Sequence, residues 1–542
     1  MKSVIVIAIL GCLVGPIHSI KPLTSTPCFS ISSWNQAQTQ PHQKLNLLNL
    51  QTHESYTPSI LPLGPFPAHH FPQLITHSDP NLDESQSTFA QRYWFDTTYY
   101  QKGGPVFLLD GGETNGQDRL PYLQDGILSI LSKATHGIGI ILEHRYYGQS
   151  FPFKDLSNES LRYLNTRESL DDSAYFSQHI VLPGHEDLDI TAPGTPWIYY
   201  GGSYAGAKAA FMMKLYPDLI WGSIASSAVI HAQVDFWQYY EPIRIHAPET
   251  CIEPLIIITR SIDRILLSND SMAIMSLKDL FGLANVTDHR DFVNVLASPI
   301  GTWQERNWDP RISNHEFETY CDSLKRNPSP EPIKTFSTSL SLLQRFFEVE
   351  ENFPLDSLLG YSNYIKNSIS SKCEKLDQDE CFGTGNLTAH QIDSLDQTWR
   401  SWMWQVCTEW GYFQNSSPGL QDSLVSKLIT LEYNSRPCQL AFGSNIPKTP
   451  NTTQVNQYGD YDLDSNRLAF IDGSHDPWIY MTVHSPLLQN RTIRDGFVID
   501  GGIHHWDENG NGDGEPEGIR NVHQREVGWV REWVRQFYDR RS

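Results

Sequence analysis

Residues 197–200 form a short apolar run and residues 207–215 a helix-forming run. Between them lies Gly201-Gly202-Ser203-Tyr204-Ala205-Gly206. A serine at the tip of a strand–turn–helix has its hydroxyl pushed into the open. Small neighbours are required there, because the turn brings strand and helix backbones close together. The usual pattern is G-x-S-x-G. Here the last position is Ala205, which is still small, and Pro217 stops the helix that follows. Ser203 is therefore a candidate nucleophile in search of partners.

The rest of the chain supplies a frame for that turn. Further short apolar runs at 105–109, 137–142 and 220–225 end in Gly or polar residues and are separated by helix-length stretches. This is the pattern of parallel strands with crossover helices. The alternation fades from about 235 to 434, a stretch with Trp-rich helical patterns and most of the cysteines. It returns at 467–471 and 496–499. Val527, Val530, Val534 and Phe537 then recur at helical spacing. The expected fold is α/β: an α/β-hydrolase core, with a mostly parallel sheet and helices on both faces. That core is expected over 71–234 and 435–542, with an inserted, mainly helical cap at 235–434.

A nucleophilic serine needs a base to take its proton and a carboxylate to orient that base. In this fold the chain order is serine, acid, histidine. The run at 467–471 leads into Asp472-Gly473-Ser474-His475-Asp476-Pro477-Trp478, and that at 496–499 into Asp500-Gly501-Gly502-Ile503-His504-His505-Trp506. The order is right, but spacing alone leaves Asp472 and Asp476, and His504 and His505, as alternatives. The oxyanion is expected to meet the N–H of Tyr204 and a donor from Asp110-Gly111-Gly112-Glu113-Thr114, with Glu113 the candidate. Asp507 to Asp513 resembles the start of a calcium loop. Its twelfth position is Gly518 rather than a bidentate glutamate, which argues against calcium.

Compartment is legible too. Met1-Lys2-Ser3 and the apolar stretch after it read as a secretory signal over 1–19, followed by a Pro-, Gln- and Ser-rich leader or pro-segment over 20–70. No other apolar run reaches membrane-spanning length. Seven N-x-S/T sequons, at Asn158, Asn269, Asn285, Asn386, Asn415, Asn451 and Asn490, fit a glycosylated surface. Of eight cysteines, six fall between 251 and 438, where disulfides are expected. Cys12 lies in the signal and Cys28 in the leader. No C-x-x-C pair is present to hold zinc. A net charge of −22 argues against nucleic acid and anionic membrane surfaces as partners.

Longer stretches carry a resemblance. Among them are Glu143-His144-Arg145-Tyr146-Tyr147-Gly148-Gln149-Ser150, the segments at 88–94, 161–164 and 201–206, and Ala225-Ser226-Ser227-Ala228. Trp404-Gln405-Val406-Cys407-Thr408-Glu409, Asp476-Pro477-Trp478 and His504-His505 follow. In these, over about 70 to 542, the chain resembles the serine carboxypeptidase family of prolyl carboxypeptidase, dipeptidyl peptidase II and the fungal acid prolyl endoproteases. The resemblance implies an α/β-hydrolase with a helical cap, with Asp476 as the acid and His504 as the base. It gives His144 a structural role and implies cleavage after proline. Gly112-Glu113-Thr114 stands where the family often has Asn-Glu-Gly.

Proline lacks an N–H and fixes φ, so a pocket for it is compact and apolar. Met403, Trp404, Trp478 and Tyr204 are candidates for its walls. Glu409 is a candidate for reading a charged substrate end, or else a buried structural carboxylate. The expectation is a secreted or vacuolar serine peptidase, cutting after proline through an acyl-enzyme and needing no cofactor. Whether it is an endo-, carboxy- or dipeptidyl-peptidase stays open. An esterase or lipase on the same fold, and a catalytically silent secreted binding protein, are the alternatives.

Overall fold

The computed structural model describes residues 66–78, 87–325, 337–350, 352–373, 377–419, 422–488 and 493–541. The expected signal, nearly all of the expected leader, Cys12, Cys28 and Asn490 lie outside them. Ten strands are present among the described residues: β1 (His69–Leu74), β2 (Thr88–Asp96), β3 (Val106–Asp110), β4 (Ile138–Leu142), β5 (Trp197–Gly202), β6 (Ile220–Ser226), β7 (Gln233–Asp235), β8 (Gly411–Phe413), β9 (Leu468–Gly473) and β10 (Asp495–Ile499). Eight form one sheet in the order β1-β2-β4-β3-β5-β6-β9-β10. Pairing is parallel from β4 through β10 and antiparallel at β1–β2 and β2–β4. Strands β7 and β8 form a separate parallel pair.

The central strands are buried on both faces, so they read as continuous apolar runs. Along β3 the side chains still alternate. Val106 and Leu108 join one core cluster and Phe107 and Leu109 the other. On β5, Trp197 and Tyr199 face the first cluster and Ile198 and Tyr200 the second. The first face is covered by the helices Thr166–His179 and Tyr204–Leu215, the second by Ile127–Thr135 and Glu517–Asp539. The C-terminal helix buries Ile519, Val522, Val530, Trp533 and Phe537, while Val527 and Val534 are only half-buried. Each fully buried large side chain there contributes roughly 1.5–3 kcal/mol. This is an α/β-hydrolase fold.

Between β6 and β9 the chain makes a run of helices, from Tyr240–His246 to Leu431–Phe442, interrupted by β8. The expected boundary at 434/435 falls inside that last helix, and the sheet resumes only at Leu468. Disulfides join Cys251 to Cys321, Cys373 to Cys381 and Cys407 to Cys438, using all six cysteines of this region. Among the described residues no helix is long and apolar enough to cross a membrane.

Candidate active site

Ser203 sits at φ 60°, ψ −121°, between β5 and the helix Tyr204–Leu215. Its amide donates to the carbonyl of Ser226 at the end of β6, at 2.9 Å. The turn tolerates only small residues. A Cβ on Gly201 would lie 2.2 Å from the carbonyl oxygen of Ala205, and one on Gly206 2.5 Å from that of Ser226. Ala205 is accommodated, and its own methyl sits 3.5 Å from where a Cβ on Gly112 would be. The loop after β3 therefore lies directly against the start of the helix that follows Ser203.

The alternatives that spacing left open have different partners. Asp476 is fully buried in the turn just after β9. Its Oδ1 accepts from the amide of Trp478 at 2.8 Å, and its Oδ2 from Nδ1 of His504 at 2.8 Å. Asp472 is instead taken by His484, whose Nδ1 lies 2.6 Å from Oδ2. His505 turns to Glu508, with Nδ1 3.1 Å from Oε2. With Nδ1 of His504 committed to Asp476, Nε2 is its proton-accepting nitrogen in the neutral ring.

The loop Gly111–Thr114 is held from several sides. Gly111 donates its amide to the carbonyl of Leu142, and Gly112 donates to Oδ1 of Asp110 at 2.9 Å. Nε of Arg119 donates to the carbonyl of Gly111 at 3.2 Å. Burial pushes the Glu113 carboxyl up from its usual range, against the opposing pull of Arg119, His504 and His505. Asp110 is buried and paired to Nζ of the equally buried Lys208 at 2.5 Å. Burial alone would raise its carboxyl, and Lys208 helps bring it below the ordinary range.

The segment Glu143–Ser150 is scaffold beneath this loop. Glu143 accepts from Nε of Arg92 and from the amides of Gly116 and Gln149, and Arg145 pairs with Asp172. His144 donates Nδ1–H to its neighbour's carbonyl, and Nε2 accepts from the Tyr204 hydroxyl at 3.0 Å. Burial first, and Lys208 second, hold it down to about 3, so it stays a neutral acceptor.

The chain belongs to the serine carboxypeptidase S28 family. The family's model matches residues 77–526. A probable extracellular serine carboxypeptidase of Arthroderma benhamiae is 41% identical over 496 residues, covering 87% of this chain and 68% of that protein. The serine protease vicPb of Bipolaris victoriae is 28% identical over 500 residues, covering 87% and 90%. The human thymus-specific serine protease is 26% identical over 423 residues, covering 76% of each. The protein is thus a serine peptidase of the S28 type.

Within this S28 site the candidate wall residues separate. Trp478 is buried beside His504, with ring centroids 6.3 Å apart. It packs on Phe236, Tyr239 and Tyr412 at 5.2–5.6 Å, and its indole N–H donates to Oε1 of Gln304. The sequence did not single out those four partners, because they come from three distant segments of the insertion. Trp402, also not singled out, meets the Tyr204 ring at 5.6 Å. Met403, by contrast, is buried in a cluster with Tyr146, Tyr147 and Phe442. Trp404 packs edge-on to Phe442. With Glu409 it lines a cavity of about 620 Å³ shared with Leu215 and Tyr458, and none of Ser203, Asp476 and His504 lines that cavity. Glu409 accepts from the amide and hydroxyl of Thr166, both at 2.9 Å, at the start of the helix Thr166–His179. Of the calcium-like loop, Asp507 spends its oxygens on Tyr200 and Ser226.

Proposed function

We propose that this S28 peptidase hydrolyses peptide bonds on the carboxyl side of proline, outside the cell or in an acidic lumen. Ser203 Oγ attacks the carbonyl carbon of the scissile bond while His504 Nε2 takes its proton. Asp476 holds Nδ1–H and stabilises the imidazolium. The oxyanion forms against the Tyr204 N–H and the loop at Glu113. The C–N bond then breaks as His504 returns the proton to the leaving amine. Water, deprotonated by the same histidine, releases the acyl group from Ser203. These steps use no cofactor, and the partners are proline-containing peptides or proteins.

One observation carries the preference for proline: the buried wall of Trp478, Phe236, Tyr239 and Tyr412 beside His504. An apolar, aromatic surface suits a ring that has no N–H to satisfy. The test is mass spectrometry of a mixed peptide set incubated at about pH 4 to 5, with Ser203→Ala in parallel. Cuts after proline that vanish in the variant support the reading. Cuts without proline preference overturn the specificity and leave the peptidase. Product lengths assign endo-, carboxy- or dipeptidyl-cleavage.

A further inference from the structure

Glu508 lies at the end of a short turn, four residues after His504, and is 3% exposed. A buried carboxylate is costly unless its surroundings hold it. Those surroundings are drawn from three strand-end segments: the histidine loop, the turn at Ser203 and the loop after β3. Oε2 lies 3.1 Å from Nδ1 of His505, the residue joined to the base. Oε1 sits where a Cβ on Gly202 would come within 2.5 Å, so the carboxylate rests against the residue before the nucleophile. Arg119, whose Nε donates to the carbonyl of Gly111, is among its charged neighbours, and the Tyr122 hydroxyl bonds to it. Burial pushes the carboxyl up. His505, Arg119 and Tyr122 outweigh that and keep it below its ordinary range, hence ionised.

We infer that Glu508 is a positioning residue, fixing the histidine loop, the nucleophile turn and the oxyanion loop to one another through His505, Gly202 and Arg119. The assignment rests on the Ser203-centred reading above. It places no substrate contact on Glu508. Its effect is on the relative placement of groups that must meet within a few tenths of an ångström in the transition state. The neighbouring buried carboxylate Glu526 makes a useful contrast. It accepts from the Tyr200 hydroxyl at 3.0 Å, within strand β5 rather than in any of the three loops.

The experiment compares wild type, Glu508→Gln, Arg119→Lys, the double variant and Glu526→Gln. It reads kcat and KM on a peptide substrate, the rate of labelling by a fluorophosphonate, and the melting temperature. The expected result for Glu508→Gln is a fall of about 10–100-fold in kcat and in labelling rate with KM within about twofold. Glu526→Gln is expected to keep both rates. Arg119→Lys loses the bond to Gly111 and cuts the same connection at its other end. It is expected to lower kcat likewise, with the double variant no worse than the poorer single. It also serves as the readout if Glu508→Gln does not fold. Wild-type rates in folded Glu508→Gln, or strictly multiplicative losses in the double variant, overturn the inference while leaving the nucleophile reading intact. Wild type that resists the probe brings down the nucleophile reading itself, and this assignment with it.

Discussion

The amide of His505 donates to Oγ of Ser227 at 2.9 Å, and Ser227 follows the very carbonyl, that of Ser226, that accepts the amide of Ser203. The turn carrying Ser203 and the loop carrying His504 are thus hung from two consecutive residues at the end of β6. Ser203, Ser227 and His505 all have positive φ, at 60°, 41° and 38°. Each such residue costs of order 1–3 kcal/mol and persists only where its surroundings hold it. Ser227→Ala removes one of those holds and leaves a buried amide unpaired, a penalty of about 1–3 kcal/mol. The expected outcome is a kcat lowered about tenfold with KM little changed, checked by steady-state kinetics beside a thermal melt.

The pairing of acids and histidines makes a sharper prediction. Asp476 accepts from His504, whereas Asp472 accepts from His484. Asp476→Asn would present the wrong tautomer of His504, for a loss of about 10⁴-fold in kcat. Asp472→Asn disturbs only its own pair, so kcat is expected to stay within about tenfold while stability falls by roughly 1–3 kcal/mol. Equal losses in the two variants would mean that the acid has been misassigned.

Much of this was legible beforehand, for physical reasons. Strands buried on both faces announce themselves as apolar runs, which is why β3, β4, β5, β6 and β9 could be read along with the turn at Ser203; β10, a half-exposed edge strand, shows only the short apolar stretch at 497–499. Strands β1 and β2 could not be read. β1 is an edge strand that carries Pro72, and β2 buries Gln91 and Arg92 for the sake of Glu143. Nor was the aromatic wall around Trp478 legible. Phe236, Tyr239, Gln304 and Tyr412 converge from separate segments, and no periodicity records a meeting of that kind. Trp402, not Trp404, faces Tyr204, since neighbours two apart on a helix point in different directions.

The contribution of two buried carboxyls to stability should fall as the pH rises from mildly acidic to neutral. Burial pushes Glu409 from an ordinary value of 4.5 to about 7, and Asp507 from 3.8 to about 6. A carboxyl whose folded value is raised stabilises fully below its unfolded value. Above that value the unfolded chain has lost the proton that the folded chain still holds. The contribution therefore drains away as pH climbs from about 4 to 7 and is gone above the folded value. A shift of that size is worth on the order of 3 kcal/mol per group. Glu409→Gln keeps an acceptor for Thr166 and has no charge to gain. Its melting temperature relative to wild type is expected to rise with pH across this window and then level off. Parallel profiles for the two proteins would contradict it.

The sequons are not equivalent. Asn269, Asn285 and Asn451 are exposed, but Asn415 is 2% exposed. Its Nδ2, the atom a glycan would occupy, donates to Oδ1 of Asp235 at 2.8 Å, and its Oδ1 accepts from Asn434 at 2.9 Å. These bonds link β7, the segment after β8 and the helix Leu431–Phe442, so a sugar on Asn415 would prevent the region from closing. Glycopeptide mass spectrometry of the protein expressed through a secretory pathway is expected to find Asn415 bare while exposed sites carry glycan. Asn415→Ala should destabilise by roughly 1–3 kcal/mol, because Asp235 and Asn434 lose a buried partner together. A glycan found at Asn415 in active enzyme would show that this junction packs differently.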